Sequence, residues 1–458
     1  MKTSLLTGLP KLPPAPRLSK KTYLARLSRL WERMADNSVC ILVSNPERTR
    51  SNDTSFPFRQ SSDIVYLNGF PEPDSVLVVS KLSGKKKVCM LVRPKNRERE
   101  TWDGFRHGLE GAKKFCATET CSIEKFDEKI AELIEKAGTV YYGFGVNTHY
   151  DKKFRAVFEA SQKPLLNPRE IIDELRLFKS EDEMKVHRHA CLISAEAHKQ
   201  AMLACRPGVS EYELQAVLEF VFKASGGTGP AYGSIVAAGN NANILHYVEN
   251  SKKVRIGDLV LIDAGCEFGG VNGGYAGDIT RTFPANGKFS QAQKDIYQLV
   301  LDAQLAAIKL SKPGVRLIEL HHAVERVLRR GLRQLGILPA DASARVETAR
   351  AEGDKSLSLG DVYMHGTSHW LGLDVHDVGD YDPEARGRKH RVLAPGMVFT
   401  IEPGIYLRKD DKRIPEKYRG IGVRIEDDIL ITQDGHEVLT AAVPKSVEEI
   451  EALMARAA

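Results

Sequence analysis

The stretch Leu-Val-Leu-Ile-Asp-Ala-Gly at residues 259–265 contains the pattern from which the fold can be predicted. Four large apolar residues in a row are typical of a strand that is buried on both faces. This strand ends on Asp263, and burying a carboxylate without a partner is strongly destabilising. The sequence therefore predicts a cation beside Asp263.

A second aspartate lies in a stretch of alternating apolar and polar residues. Strand alternation over residues 278–283 would place Asp278, Thr280 and Thr282 on one face. We expect Asp263 and Asp278 to face each other across a hairpin, so that the same cation serves both.

Two glutamates repeat this arrangement near the end of the chain. Glu402 follows the apolar stretch 398–401 and is followed at once by Pro403. Alternation further along would place three side chains on one face: Arg424, Glu426 and Asp428. Four carboxylates at strand ends are thus available to one site.

Three of the thirteen histidines, His365, His369 and His376, lie within twelve residues. A single histidine in such a place is more often a hydrogen-bonded polar residue near a turn. Three of them together with four strand-end carboxylates favour a metal site.

The charge of such a site favours two metal ions over one. Four adjacent carboxylates would repel one another, whereas two divalent ions balance their charge. An oxygen-rich set with one imidazole suits Mn²⁺, and Zn²⁺ or Co²⁺ could also bind. Two ions about 3.5–4 Å apart can share a bridging hydroxide and polarise a carbonyl, which is the chemistry of hydrolysis.

The length of 458 residues predicts two domains. In the first part, apolar runs at 39–43, 76–79 and 88–92 predict strands, and helical patterns cover 21–35 and 130–136. This alternation indicates a small α/β domain that ends near Leu166-Asn167-Pro168.

The second part begins with helices and returns to them after its first strands. Helices are predicted at 171–178, 181–204, 212–224 and 291–310, and strands at 235–236, 259–264, 278–283, 398–402 and 423–431. Ser210 and Glu213 have the spacing of a capping box. The Pro-Gly-Val triplets at 207–209 and 313–315 each separate two helices, which indicates a duplicated half-domain. Residues 340–361 are predicted to form an inserted loop or a short helix.

Composition excludes several classes of protein. The chain is 42% hydrophobic and 28% charged, which is typical of a globular protein, and no apolar run approaches a membrane span. The seven cysteines form no CxxC pair and are predicted to be reduced thiols in a cytoplasmic protein. The net charge of +6 is dispersed, so neither nucleic acid nor a membrane is expected as a partner.

Residues 1–20 are predicted to form a basic arm. Residues 1–31 contain seven Lys or Arg, and no acidic residue precedes Glu32. Prolines at 13, 14 and 16 disfavour a helix, so we expect an extended arm. An organelle transit peptide is the alternative, and a mitochondrial location stays open.

Several longer motifs resemble those of the pita-bread metallopeptidases, and within them the aminopeptidase P (Xaa-Pro aminopeptidase) family. They are IDAGCEF (262–268), YAGDITRTFP (275–284), MHGTSHWLGLDVHDVG (364–379), TIEPGIYL (400–407) and RGIGVRIEDDIL (419–430), with SFPFRQSSDIVYLNGFPEPDSVLVV (55–79) near the N-terminus. The resemblance implies a mixed α/β (α+β) protein. Its small N-terminal α/β domain would span residues 21–170, and a pita-bread domain with pseudo-twofold symmetry would span residues 171–458.

The resemblance also implies a role for each site residue. The metal ligands would be Asp263, Asp278, His369, Glu402 and Glu426, with Asp278 and Glu426 bridging two ions. Arg424 would support these ligands, Tyr406 would lie near the substrate, and Glu402 is also a candidate proton carrier. The histidines around the substrate would be His246, His365 and His376, of which His246 or His376 would stabilise the oxyanion.

The implied activity is release of the first residue from peptides with proline in second position. The bond before proline has no N–H, and ordinary exopeptidases cleave it poorly. One alternative is a prolidase acting on Xaa-Pro dipeptides, although the N-terminal domain argues against it. Methionine aminopeptidases usually lack such a domain, and an inactive pita-bread binding protein would have lost metal ligands that this chain keeps.

Two features of the resemblance concern the surroundings of the site. The family tends to self-associate, so a homo-oligomer (dimer or tetramer) is expected. Asp53 and Trp102 are candidates for contacts that complete a neighbouring substrate site, although simple domain packing explains them equally well. The turn at residues 269–274 is about four residues longer than in the family, and it either bulges away or reshapes the substrate cleft.

Overall fold

The computed structural model describes residues 12–339, 356–384 and 390–456. The chain forms two compact units, an N-terminal unit of residues 16–177 with 269–274, and a C-terminal unit that includes residues 178–268 and those from 275 onward. The domain bounds expected from the sequence, at residues 20 and 170, stay a prediction. Of the expected basic arm, residues 1–11 lie outside the described residues, and residues 12–19 form no helix or strand.

The N-terminal unit alternates strands and helices. Its elements in chain order are α1 (Lys20–Arg33), β1 (Ser38–Val43), β2 (Thr49–Ser51), β3 (Thr54–Ser55), α2 (Ser62–Leu67), β4 (Val76–Leu82), β5 (Lys85–Val92), α3 (Arg97–Asp103), α4 (Gly108–Ala112), β6 (Glu119–Ser122), α5 (Phe126–Lys136), β7 (Thr139–Tyr142), α6 (Thr148–Phe158), β8 (Leu165–Leu166) and α7 (Arg169–Leu177).

Six of these strands form one mixed sheet in the order β6-β5-β4-β1-β7-β8. The central strand β1 pairs antiparallel with β4 and parallel with β7. Alternate residues Val39, Ile41 and Val43 enter one apolar cluster with Phe126 and Ile130 of α5. The predicted strands at 39–43, 76–79 and 88–92 are therefore confirmed, because each is apolar on both faces and lies inside the sheet.

Residues 269–274, the enlarged turn, belong to the N-terminal unit by their contacts. The Gln60 amide donates to the Asn272 carbonyl at 2.8 Å, and the Asn272 carboxamide donates to the Pro71 carbonyl at 2.8 Å. A Cβ on Gly270 would lie 2.0 Å from the carbonyl oxygen of Gly273. The turn is thus a fixed structure in which glycine is required at position 270.

The C-terminal unit begins with a helical pair. Its elements in chain order are α8 (Glu181–Ala204), α9 (Glu211–Ala224), β9 (Gly229–Pro230), β10 (Ile235–Ala238), β11 (Leu259–Asp263), β12 (Cys266–Phe268), β13 (Tyr275–Ala276), β14 (Thr280–Pro284), α10 (Gln291–Leu310), α11 (Leu317–Gln334), α12 (Leu359–Val362), β15 (Val398–Ile401), β16 (Gly404–Tyr406), β17 (Gly422–Arg424), β18 (Asp427–Ile431), β19 (His436–Val438) and α13 (Val447–Met454).

The two halves of this unit repeat one plan. In the first half, α8 and α9 precede the sheet β10-β11-β14, and in the second, α10 and α11 precede the sheet β15-β18-β19. Each helical pair turns through a glycine with positive φ, Gly208 (φ 96°) and Gly314 (φ 89°). The predicted duplication is therefore confirmed by two turns of the same construction.

Two predicted strands differ from the structure. The strand expected at 278–283 begins at Thr280, and the one expected at 423–431 is divided into β17 and β18, which lie in different sheets. The backbone changes partner at the break, since the Ile425 amide donates to Pro403 and the Glu426 amide donates to Thr280. Glu426 therefore lies between two strands and not within one.

Further predictions for this chain concern an insertion, a helix cap, the cysteines and membrane spans. The expected insertion at 340–361 falls partly outside the described residues, at 340–355, and its end contains the short helix α12. The Ser210 amide donates to Glu213 at 2.7 Å, as the capping-box spacing predicts. All seven cysteines are free. Within the described residues, no helix is both long enough and apolar enough to span a membrane.

Candidate metal centre

Asp263 and Asp278 come together where two antiparallel strands of the C-terminal unit diverge. β11 pairs with β14 so that Asp263 lies opposite Thr280, two residues after Asp278. The Tyr232 hydroxyl lies 2.7 Å from Asp263 Oδ1 and 2.5 Å from Asp278 Oδ1. The expected approach of the two aspartates is confirmed, with a tyrosine hydroxyl held between them.

The second half of the unit supplies the two glutamates. Glu402 directly follows β15, and its amide donates to the Thr367 carbonyl at 2.9 Å. Glu426 lies at the break between β17 and β18, where Thr280 donates to its Oε2 at 2.6 Å. Because Thr280 also opens β14, this hydrogen bond joins the carboxylates of the two halves.

His369 completes the cluster. Its Nε2 lies 3.4 Å from Asp278, 3.6 Å from Glu402 and 4.0 Å from Glu426. Single donor atoms of Asp278, His369 and Glu426 all lie within 4.8 Å of one another. The His369 Nδ1 lies 3.1 Å from the Trp370 carbonyl, to which it can only donate a proton. Nε2 faces the carboxylates, so it can share a proton with them or, once that proton is lost, bind a metal ion.

The site is short of positive charge. Burial raises the pKa of Glu402 to about 7, and burial together with the neighbouring carboxylates raises the pKa of Glu426 well above its usual range. Burial also raises the pKa of Asp278. Burial opposes the charged form of His369, yet hydrogen bonding to Asp278 and the adjacent carboxylates raise its pKa to about 9. Raised carboxylate pKa values and a raised histidine pKa are both expected where buried carboxylates repel one another and favour a nearby cation.

Divalent cations fit this environment. Asp278 and Glu426 are buried, and the fixed cation in contact with the cluster is Arg424, which donates to Asp263 at 2.6 Å. One guanidinium cannot balance four carboxylates. The donor set of carboxylate oxygens and one imidazole is suited to hard and borderline divalent ions.

A cavity of about 440 Å³ opens beside these residues. His246, His365 and His376 line it, with Leu245, Val248 and Val375 as apolar neighbours. The ring of His376 lies 4.5 Å from that of His369, and His365 Nε2 lies 2.8 Å from the Tyr406 hydroxyl. The structure therefore brings all three predicted histidines to one cavity.

Arg424 and Tyr406 form a buried support behind the carboxylates. Besides Asp263, Arg424 donates to the Tyr406 hydroxyl at 3.0 Å and to Thr280 at 3.1 Å. Burial raises the pKa of Tyr406 to about 12, so its hydroxyl keeps its proton. That proton can then be donated to His365.

Two predicted site residues, Asp53 and Trp102, belong to a different compact unit from the metal ligands, and their role stays a prediction. Asp53 and Trp102 belong to the N-terminal unit, where both are exposed, Trp102 to 82%. Of the described residues that line the metal-centre cavity, none comes from the enlarged turn 269–274. The effect of that turn on the substrate cleft stays a prediction.

Sequence reasoning missed two residues. Tyr232 lies in Gly229-Pro230-Ala231-Tyr232, which has no pattern that indicates a site. Asp428 was placed only on a strand face, but its Oδ2 accepts the Asp278 amide at 3.0 Å and lies 3.2 Å from Cys191 Sγ. The carboxylate pair Asp427-Asp428 inside an apolar strand was the available signal.

Comparisons with known proteins agree with this geometry. The model of metallopeptidase family M24 matches residues 185–433, and that of the aminopeptidase P N-terminal domain matches residues 23–141. The Xaa-Pro aminopeptidase of Escherichia coli (strain K12) is 41% identical over 452 residues, which cover 96% of this chain and 99% of that protein. A human Xaa-Pro dipeptidase is 34% identical over 472 residues, covering 93% and 92% of the two chains.

A solved structure extends the agreement to the whole fold. Zn-substituted E. coli aminopeptidase P in complex with product matches with a TM-score of 0.89 at 40% identity, covering 96% of this chain and 99% of that one. The expected fold, a small N-terminal α/β domain followed by a pita-bread domain, is thereby confirmed. This chain belongs to metallopeptidase family M24 and, within it, to the aminopeptidase P family.

Proposed function

We propose that this protein is a metal-dependent aminopeptidase that releases the N-terminal residue from peptides with proline in second position. The observation that carries the proposal is one cavity in which four carboxylates and His369 lie beside three further histidines. Its relatives over nearly the full length include an Xaa-Pro aminopeptidase. The alternative of an inactive binding protein is disfavoured because every expected ligand is present.

The residues proposed to hold two divalent ions lie in one cluster, which has too little positive charge to balance its carboxylates. They are Asp263, Asp278, His369, Glu402 and Glu426. Mn²⁺ is our first choice for the physiological ion, and Zn²⁺ or Co²⁺ suit the same donors. When bound, such ions polarise the scissile carbonyl and activate water.

Groups of the chain itself position the substrate and move protons. His376 and His246 both line the cavity, and one of them is proposed to donate to the carbonyl oxygen as charge develops on it. Glu402, which lines the same cavity, is the proposed carrier that takes a proton and passes it to the departing imide nitrogen. The Tyr406 hydroxyl holds His365 at 2.8 Å and so fixes its orientation.

Apolar residues of the cavity favour a proline ring. Leu245, Val248 and Val375 line the cavity with the histidines. A proline ring offers apolar surface and needs no acceptor for an N–H, so a cavity wall of this kind suits it.

We further propose a cytoplasmic homo-oligomer. Seven free thiols suit a reducing compartment. Trp102 and Phe105 of the N-terminal unit are exposed to 82% and 96%, and large exposed aromatic side chains are typical of interfaces. Asp53 and Trp102 are the residues we propose to complete the substrate site of a neighbouring copy.

Hydrolysis by chelated protein, with and without added Mn²⁺, tests the activity. We expect free Arg from Arg-Pro-Pro only when metal is present, and none from Arg-Ala-Ala. Cleavage of Xaa-Pro dipeptides alone would make the protein a prolidase. This is the second candidate function, because one relative is an Xaa-Pro dipeptidase. Absence of any cleavage with metal bound would overturn both.

A further inference from the structure

A second cavity, of about 430 Å³, lies in the C-terminal unit away from the metal centre. We call it the basic cavity. The cationic side chains that line it are Lys252, Lys253, Arg255, Lys409 and Arg419, and the carboxylate among its lining residues is Asp258. The fields of several cations add inside a concave surface, so the electrostatic potential in this cavity is positive.

Ion pairs with protein carboxylates do not neutralise these cations. Within the described residues, Lys252, Lys253, Arg255 and Lys409 have no salt bridge. The Arg419 guanidinium donates to backbone carbonyls, that of Ile414 at 2.8 Å and that of Lys412 at 3.1 Å. Among the described residues, Lys252, Lys253, Arg255 and Lys409 are therefore not held in direct ion pairs, and Asp258 is the carboxylate of the lining.

Asp258 offsets at most one of the five positive charges, and it interacts electrostatically with Arg255 and Lys409. Its Oδ2 accepts the Arg255 amide at 2.8 Å, and partial burial raises its pKa. It also lies against the turn at Gly239, where a Cβ would come within 2.7 Å of Asp258 Oδ1. Asp258 thus serves to shape the wall of the basic cavity.

The wall itself is held rigidly by a fully buried carboxylate. Glu211 Oε1 accepts the Ala238 amide at 2.8 Å and Asn241 Nδ2 at 2.9 Å. Its Oε2 accepts the Lys252 amide at 2.8 Å and the Tyr247 hydroxyl at 2.9 Å. Two segments that line the basic cavity are thereby fixed to one another, so the cations are presented by a preorganised frame.

The basic cavity is distinct from the metal centre. It touches β11 at Leu259, whereas Asp263 ends the same strand at the metal centre. Four residue steps of a strand span roughly 13 Å. No described residue lines both cavities.

We propose that the basic cavity binds a small anion of the diphosphate class, either inorganic pyrophosphate or the diphosphate of a nucleotide. Arginine and lysine are the residues that bind phosphate oxygens, arginine as a fork and lysine as a point charge. Asn240 adds a carboxamide, whose oxygen already accepts the Lys409 amide at 3.0 Å and whose amino group is free to donate. A multiply charged anion matches several unpaired cations better than a single carboxylate does.

Calorimetric titration of the full-length chain with pyrophosphate and, separately, with ADP tests this proposal. No metal is added, so that the metal centre does not compete for phosphate. We expect binding that weakens as salt is raised, and that weakens at least about tenfold in the Lys253→Glu/Lys409→Glu variant. Lys309→Glu, an exposed lysine on α10 with the same change of charge, is expected to bind within about twofold of the wild type.

The outcomes distinguish the two possible ligands and show whether the basic cavity is the binding site. Equal affinity for pyrophosphate and ADP would identify the phosphates alone as the ligand, and tighter ADP binding would identify a nucleotide. Thermal melting and metal-dependent hydrolysis of Arg-Pro-Pro report whether the Lys253→Glu/Lys409→Glu and Lys309→Glu variants are folded, and neither is expected to change in them. Absence of binding, unchanged binding in the double variant, or loss of binding in Asp278→Asn would each overturn the proposal.

Discussion

The Tyr232 hydroxyl lies between the two aspartates of the metal centre. Tyr232 is within hydrogen-bond distance of both Asp263 and Asp278, and burial raises its pKa well above the usual range, so it keeps its proton. One proton can be donated fully to only one carboxylate at a time. The tyrosine therefore orients both carboxylates while leaving their remaining oxygens for metal.

Replacing Tyr232 with Phe is expected to weaken metal binding by about tenfold or more, because groups that orient ligands usually contribute that much. Titration of Mn²⁺ into the chelated protein, followed by calorimetry, measures the change. Tyr212→Phe, which alters a tyrosine exposed to 57%, is the matched control. Equal Mn²⁺ affinity in the wild type and Tyr232→Phe would show that the hydroxyl does not orient the ligands.

At the level of elements, a buried ion pair joins the two halves of the C-terminal unit. Arg281 of β14 donates to Asp427 of β18 at 2.7 Å, and both side chains are fully buried. Arg281 also donates to the carbonyl of Glu426 at 2.6 Å, which places it directly behind a proposed ligand. Removing Arg281 would leave Lys445, at 2.7 Å, as the remaining cation on Asp427 and would take this donor from the Glu426 carbonyl.

Arg281→Met is expected to destabilise the protein by about 3 kcal/mol, the lower end for a broken buried pair, because Lys445 still contacts Asp427. Thermal melting of the metal-free protein would show this destabilisation as a lower transition temperature. The control Arg408→Met breaks an exposed pair with Asp410 and is expected to cost less than about 1 kcal/mol. A loss no larger than that of the control would mean that the buried pair is dispensable.

The two helical pairs also depend on one backbone conformation. Gly208 and Gly314 have positive φ, and a Cβ at either position would meet no atom within 4 Å. Substitution by alanine at each is therefore a test of backbone strain alone, expected to cost about 1–2 kcal/mol.

Gly435→Ala supplies the comparison for these glycines. A Cβ at Gly435 would also meet no atom within 4 Å, but the φ of Gly435 is not positive. Chemical denaturation of the three variants should rank Gly435→Ala as the least affected. Equal stability of all three would mean that the helical pairs do not need the left-handed conformation.

For the molecule as a whole, the sequence predicted what depends on local pattern. Apolar strands ending in Asp263 and Glu402 were predictable, because a buried carboxylate requires a cation. The break at Glu426 was not, since it results from the Glu426 amide pairing with Thr280, about 146 residues away in the chain. Tyr232 was missed for a similar reason, because only folding brings its hydroxyl to the aspartates.

The stability of the whole molecule in acid should depend on two histidines of α8. His187 Nε2 lies 2.8 Å from the Ala276 carbonyl and His198 Nε2 lies 2.9 Å from that of Ala264, while no described group accepts from either Nδ1. Burial lowers the pKa of His187 to about 3 and that of His198 to about 4. Both are therefore neutral in the folded protein.

The unfolded chain binds protons on these histidines below about pH 6.5, and the folded protein does not. Their contribution to stability is therefore complete above pH 6.5 and is lost as the pH falls toward 4, by up to about 1.4 kcal/mol per pH unit for each. A variant with both residues changed to Gln keeps a donor for each carbonyl but cannot be protonated. Its melting temperature, measured without metal from pH 7 to 4, should fall less steeply than that of the wild type, because the titrating carboxylates are common to both proteins. Parallel curves would mean that these histidines already carry their protons in the fold, which would require an acceptor at Nδ1.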